Sequence, residues 1–507
     1  MIIGKKILRW SAIIVFCFPV SQMQAKGKIT GILAELFPLP VYLYNAGCDD
    51  ALSLDLSHLK AESVKITFDD VAGLDGAKED LKDIIAYLKD SDKFIKMGAK
   101  IPKGILMNGS PGNGKTLLAR AFAGEANCSF MSVNGSDFNS EYMGVNSQKI
   151  QELFNQARKK APCVIFIDEI DAIAETRSDS SWSGSRNDNK TLITLLAEMD
   201  GFNQHDKPVI VIAATNRVDQ LDSAILRPGR FDRIIEINKP FVKDRAQLLR
   251  IAFAKTTLSD DVDIEHVAQG TAGFSGAQLV NLVNEAIILA IKDNSAEICM
   301  KHIEMAYDNI TLGRETKGMQ QSQKDLWHTA IHEAGHLIGY LFQDKTVAVR
   351  KVSITPRGKT LGVAHMLPLV ESYSYTQDDM KNQIVACLAG RFAEEAFGFG
   401  LSTGAWNDLE HAQKIAYNMI VTYGMAENFR DVSYRQFDNQ LPNDIATTIH
   451  NEVNKIIEKC RCVTRNLIAD HKKDIEKIAK LLMEKGTVQG SEIYELLQLP
   501  QPQLFDL

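Results

Sequence analysis

Two groups of residues in this 507-residue chain have the types and the spacing to do chemistry. The first is HEAGH, residues 332–336. On a helix, His332 and His336 project from one face, so both imidazoles can ligate one metal ion. Glu333 lies beside them, placed to take a proton from the water that attacks a polarised peptide carbonyl. Ala334 and Gly335 keep that helix slim next to a cleft. Zinc held this way needs a third protein ligand and an open position. Glu394, Glu395, Asp408, Glu410 and His411 all follow downstream, and spacing does not choose among them. The bland alternative is a pair of helix histidines with no metal. His328 and His365 receive no role.

The second group is GSPGNGKT, made of Gly109, Ser110, Pro111, Gly112, Asn113, Gly114, Lys115 and Thr116. It follows the apolar run GILMN and precedes a helical stretch, the context a phosphate-binding loop requires. Gly112 and Gly114 let backbone N–H groups turn toward phosphate oxygens. Lys115 brings a point charge to the β- and γ-phosphates, and Thr116 offers a hydroxyl to Mg2+. Further on, VIFIDE ends a buried strand in Asp168, a magnesium partner, and Glu169, which polarises the attacking water. Asn216, at the end of AATN, can orient that water. Arg227, Arg230 and Arg233 crowd into LRPGRFDR; they form either a solvated charged turn or cations that reach a neighbouring subunit's phosphate.

These residues must be positioned by more than one domain, because the chain is too long for a single core. From residue 67 to about 240, β-rich runs alternate with helical stretches, which predicts an α/β fold with an open parallel sheet and ligands at the strands' carboxyl ends. The pattern then turns helical. We expect an α/β nucleotide-binding domain over 65–242, a helical lid over 243–312, a linker over 313–324, a mainly α-helical metallopeptidase domain over 325–498 and a tail over 499–507. A strand-like piece, KVSITPRGKTLGVAHM, interrupts the last domain. Its segment TLGVAHM is either a plain hairpin strand or an edge on which a substrate strand pairs.

Composition excludes some classes. A net charge of −7 gives no basic field for nucleic acid. Eight scattered cysteines form no pair of CxxC units, which speaks against a thiolate zinc site or a disulfide framework. At the N-terminus, Lys5, Lys6 and Arg9 precede an apolar stretch from Trp10 to Val20. A second stretch, Ile32 to Tyr44, is broken by Glu35, Pro38 and Pro40. Neither is a clean span of about 20 residues. A cleaved export signal would send an ATP-binding body to a compartment without ATP, so residues 1–46 are expected to be a retained membrane anchor, with a linker over 47–64.

The motifs FDDVAGLDGAK, VIFIDEIDAI, EMDGF, AATNR, LDSAILRPGRFDR and GFSGAQL fall around the phosphate loop in the order of the AAA+ ATPases. Together with HEAGH, the chain from about 65 to 500 resembles the FtsH family of membrane-bound ATP-dependent zinc metalloproteases. The resemblance implies a homohexamer with ATP between subunits, Zn2+ and Mg2+ as metals, protein substrates, and a bacterial inner membrane location with the catalytic domains facing the cytoplasm. It implies that Arg230 and Arg233 are arginine fingers and that Asp200-Gly201-Phe202 signals between subunits. It places Val71, Ala72, Gly276 and Ala277 beside the adenine, and Tyr142, Met143 and Gly144 in a central pore loop that grips polypeptide. Tyr142 departs from the usual phenylalanine, and packing in a core is its plain alternative. The resemblance also selects Asp408 as the third zinc ligand and Glu394 as a neighbour outside the ligand set. The N-terminus departs from the family pattern, since its two apolar stretches leave no room for an extracytoplasmic domain. A non-proteolytic remodelling chaperone with an inactive peptidase domain is the alternative function; intact Glu333 and metal ligands favour the protease.

Overall fold

The computed structural model describes residues 62–89, 94, 96–97, 102–138, 145–174, 185–201, 208–316, 321–344, 346–358, 360–369, 374–400, 402–435 and 441–502. The expected membrane anchor, Tyr142, Met143, Gly144 and Phe202 lie outside the described residues. Among the described residues no helix is long and apolar enough to cross a membrane. The described residues belong to one compact unit.

The first part is a six-stranded sheet with flanking helices. Its strands are β1 (Glu62–Ser63), β2 (Gly104–Asn108), β3 (Ser129–Asn134), β4 (Cys163–Asp168), β5 (Val209–Thr215) and β6 (Phe231–Glu236), in the spatial order β1-β3-β4-β5-β2-β6. All neighbours pair in parallel except β1, which adds to β3 antiparallel. That two-residue edge strand is too short for its sequence to show alternation. The central strands β4 and β5 are buried along almost their whole length, as strands covered on both faces must be. The helices here are α1 (Asp75–Lys89), α2 (Lys115–Glu125), α3 (Val145–Lys159), α4 (Asp171–Ala174) and α5 (Ser185–Asp200).

A four-helix lid follows: α6 (Val242–Phe253), α7 (Ile264–Gln269), α8 (Gly276–Lys292) and α9 (Met300–Thr311). Helix α8 starts in a reciprocal cap: Ser275 Oγ accepts from Gln278 N, and Gln278 Oε1 accepts from Ser275 N. Leu249, Leu279, Leu282 and Ala286 form the centre of the lid's own core.

The last part is built on α10 (Gln323–Gln343), with a three-stranded sheet of β7 (Val347–Ser353), β8 (Val363–Pro368) and β9 (Thr487–Gln489) in the order β8-β7-β9. The helices α11 (Gln377–Ala396), α12 (Trp406–Val421), α13 (Asn443–Asp470), α14 (Lys472–Lys485) and α15 (Gly490–Leu496) complete it. Helix α10 begins before Asp325, because Ser322 caps it by accepting from Asp325 N. The strand-like piece in the sequence is a hairpin, β7–β8, and β9 is a third strand whose three residues give no pattern. Helices α10 and α11 approach closely through small residues. A Cβ on Gly335 would lie 2.6 Å from the Ala393 Cβ and 2.7 Å from the Ala389 oxygen. That closeness brings the HEAGH face against α11.

Candidate nucleotide and zinc sites

The phosphate loop runs from the end of β2 to the start of α2. Gly112 and Gly114 have φ of 79° and 88°, a conformation in which a side chain is strained and which turns backbone N–H groups into the loop. Lys115 is buried. Its Nζ donates to the Gly109 carbonyl, to the Ser110 carbonyl at 3.2 Å and to Asn216 Oδ1 at 2.8 Å. Burial lowers its pKa, while the charges of Asp168 and Asp171 act the other way. Thr116 Oγ1 donates to Asp168 Oδ2 at 3.1 Å, so the hydroxyl and carboxylate suited to a magnesium ion already face each other. Glu169 sits just past β4 in left-handed backbone, φ 50°. Asn134 Nδ2 donates to its carboxylate at 3.4 Å.

These groups border one cavity of about 750 Å³. Its lining brings together Val71, Ala72, residues 111–116, Asp168, Glu169, Asn216, Gly276 and Ala277. The lid supplies an apolar wall that the sequence reading did not name, including Leu248, Val280, Val283 and Ile287. Their helical spacing was visible but read equally well as lid core. Arg230 and Arg233 do not line this cavity. Arg230 Nη2 pairs with Asp200 Oδ2 at 3.0 Å, and its Nη1 donates to the Ala224 carbonyl at 2.8 Å. Arg233 lies exposed on β6.

In the second site, His332 Nε2 lies 3.0 Å from His336 Nε2, and Asp408 Oδ2 lies 3.3 and 3.4 Å from the two. Both imidazoles are oriented from behind. His332 Nδ1 is 2.7 Å from Glu394 Oε1, and His336 Nδ1 is 2.8 Å from the Ala386 carbonyl. With those acceptors each Nδ1 carries the proton, so each Nε2 presents a lone pair. Two lone pairs and a carboxylate oxygen thus converge on one point. Tetrahedral zinc, with N and O ligands at about 2.0–2.1 Å, requires ligand atoms about 3.3 Å apart. The donor set fits that ion. Among the described residues these three are the group of metal-binding type whose ligand atoms come this close. Of the five downstream candidates, Asp408 is the one the fold brings to both histidines.

The electrostatics agree with a cation site. Burial opposes a charge on His332, yet Asp408, Glu394 and Glu333 favour positive charge there and raise its pKa to about 10, so a zinc ion bound at Nε2 takes the place of a proton. Burial also works against ionised Asp408, but the hydrogen bonds of His332 and His336 hold it well below the carboxylate range. Glu333 is buried, and burial pushes its carboxyl up against the pull of His336 and His332. Glu394 accepts from Ser402 Oγ at 2.8 Å and lies 3.3 Å from His328 Nε2, so the unassigned His328 belongs to the surround of this site. Two glycines missed in the sequence shape it. Gly390 on α11 passes the histidine pair, and Gly362, just before β8, lies over Glu333. An isolated glycine inside the helical run CLAGRFAEE was the available signal for the first. His365 packs edge-on against Tyr307, with ring centroids 5.8 Å apart.

Fold and sites together define an AAA-type ATPase joined to a metallopeptidase of the HExxH kind. Residues 105–239 match the family described as ATPase family associated with various cellular activities (AAA), 261–305 match the AAA+ lid domain, and 319–496 match peptidase family M41. The ATP-dependent zinc metalloprotease FtsH 4 of Sorangium cellulosum is 41% identical over 94% of this chain and 77% of its own length. The ATP-dependent zinc metalloprotease FtsH of Aquifex aeolicus is 44% identical over 86% of this chain and 71% of its own. FtsH 1 of Bdellovibrio bacteriovorus is 41% identical, over 91% and 74%. The chain belongs to the FtsH family.

Proposed function

We propose that this chain is an ATP-dependent zinc metalloendopeptidase that unfolds protein substrates and degrades them processively. The observation that carries the reading is the three-atom convergence of His332, His336 and Asp408 beside buried Glu333, in the same chain as a complete phosphate-loop cavity. The relatives' names point the same way. A remodelling chaperone with an inactive peptidase domain has no comparable support, since each residue the peptidase chemistry needs is present.

ATP binds with its phosphates along residues 109–116 and its base between Val71–Ala72 and Gly276–Ala277. Lys115 neutralises phosphate charge. Thr116 and Asp168 hold Mg2+. Glu169 orients the attacking water, with Asn216 beside it. Arg230 and Arg233 act in trans in a homohexamer; their position away from their own chain's cavity supports that role. Tyr142, Met143 and Gly144 grip the translocating polypeptide.

At the peptidase site His332, His336 and Asp408 hold Zn2+, with Glu394 fixing His332. When bound, zinc supplies Lewis acidity that polarises the scissile carbonyl. Glu333 takes the proton from the attacking water and passes it to the leaving amine. The free edge of β8 offers backbone groups on which an extended substrate pairs independently of its sequence. We place the protein at the bacterial cell membrane with both catalytic parts in the cytoplasm, where ATP is available.

Purified protein given an unfolded casein-like substrate tests the reading. Degradation is expected only with ATP, Mg2+ and zinc together. Undiminished degradation after chelation of zinc, at verified metal depletion, would overturn it.

A further inference from the structure

The lid and the peptidase sheet are joined by a buried ionic contact. Asp308, near the end of lid helix α9, receives Lys351 Nζ from β7 at 2.7 Å and 2.8 Å on its two oxygens. Arg357, at the turn after β7, lies 3.5 Å from the same carboxylate and donates to Asn309 Oδ1 at 3.4 Å. Asp308 and Lys351 are both almost fully buried. A buried ion pair is a poor device for stability, because desolvating both charges offsets most of their attraction; its best-attested use is to fix register.

Backbone bonds reinforce the joint. Gly358 N donates to the Arg314 carbonyl at 3.3 Å, and Thr316 N donates to the Pro356 carbonyl at 3.0 Å. The segment leaving the lid is thus zipped to the turn of the β7–β8 hairpin. The far side of that turn reaches the catalytic base. A Cβ on Gly362 would lie 2.7 Å from Glu333 Oε1 and 2.9 Å from the Thr329 methyl. One hairpin is therefore anchored to the ATPase lid through Asp308 and rests on Glu333 through Gly362. A second line of contacts starts at the nucleotide cavity. Phe274, two residues before Gly276, stacks on Tyr307 at 5.4 Å between centroids. The Arg350 guanidinium of β7 covers the other partner of that stack, 4.2 Å from the Tyr307 ring.

We propose that the β7–β8 hairpin transmits the position of the lid to the peptidase site, with Asp308 and Lys351 as positioning residues that make peptide cleavage responsive to nucleotide. Nucleotide contacts the lid at Gly276 and Ala277. A lid displacement carried through the buried pair moves the hairpin tip over Glu333, changing its setting and that of the β8 edge. The lid and the hairpin then behave as one element with two arrangements, biased by nucleotide. This inference rests on the zinc-site reading above, so its test includes controls for that reading.

The test uses the full chain with the neutral double variant Asp308→Asn/Lys351→Met, which removes both charges of the buried pair and leaves Arg357 its hydrogen bond to Asn309, and with Lys351→Arg as the conservative variant. Zinc content, the unfolding midpoint, ATPase rate and cleavage of a short unstructured peptide are measured with ATP and with ADP. In the parent, ATP should accelerate short-peptide cleavage over the rate with ADP, and equal rates overturn the proposal. The double variant should keep full zinc, an ATPase rate within about twofold and the ADP-state cleavage rate, while the ATP-to-ADP cleavage ratio falls to about one. Lys351→Arg should restore the ratio. An unchanged ratio in the double variant overturns the proposal. So does a proportional fall in all activities with a lowered midpoint, which marks a merely structural pair. A parent that holds no zinc, or a Glu333→Gln variant that still cleaves, instead defeats the zinc-site reading.

Discussion

A side chain at Gly390 would collide with His336: a Cβ built there lies 2.5 Å from His336 Nε2 and 2.9 Å from His332 Nε2. The metal site therefore depends on a missing side chain in a neighbouring helix as much as on its ligands. Gly390→Ala should fold, since a helix gains about 1 kcal/mol of propensity from the exchange. It should nevertheless lose zinc at least about tenfold in affinity by the outer-shell precedent. Metal titration beside circular dichroism separates the two effects, and full zinc occupancy in the variant would contradict the account.

Glu394 fixes the ring of His332 through Nδ1. Glu394→Gln keeps the shape but weakens the acceptor, and should cost about 10–100-fold in zinc affinity or peptidase activity. ATPase activity should be unchanged. Competition with a zinc chelator of known affinity reads the first quantity directly.

How much of this was legible in the sequence follows from how local each feature is. The phosphate loop, Asp168-Glu169 and HEAGH are contiguous, so their geometry is set by one turn or one helix, and the chain declares them. Asp408 was one of five acidic or histidine candidates, and only the packing of α12 on α11, which itself lies against α10, brings it to the histidines; a family resemblance, not spacing, singled it out. Gly362 and the Asp308–Lys351 pair were illegible, because each matters through a partner far along the chain, and Gly390 showed only as a glycine inside a helical run, with nothing to say what it faces. The short strands β1 and β9 were missed for a different reason: two or three residues carry no period.

His365 supplies a prediction about pH. Burial lowers its pKa to about 4, with the cations Lys351, Arg350 and Arg357 adding to that effect and Asp308 opposing it. The unfolded imidazole titrates near its ordinary value of 6.5. Below that value the unfolded chain binds a proton that the folded chain refuses, so stability is full above about pH 6.5 and falls as pH drops toward 4. The difference corresponds to at most about 3 kcal/mol. His365→Gln should flatten the unfolding midpoint between pH 6.5 and 4.5 relative to the parent. Parallel pH profiles for parent and variant would show that this histidine does not contribute.

Glu169→Gln should leave ATP binding intact and slow hydrolysis by about 10²–10⁴-fold, the usual loss for a positioned base. Lys115→Met should weaken binding itself, because Lys115 is the buried cation of the cavity. Equilibrium binding of a fluorescent nucleotide, paired with phosphate release, distinguishes the two variants.

The central claim is that ATP hydrolysis and zinc-site cleavage are separate chemistries serving one task. Its most direct test compares Glu333→Gln with the parent on a folded protein substrate, recording ATP hydrolysed, substrate degraded and zinc bound in the same sample. The account predicts undiminished ATP hydrolysis, full zinc and degradation reduced by at least about 10²-fold, the lower end for loss of a general base. Continued degradation at the parent rate by a variant shown to lack the Glu333 carboxylate would contradict it.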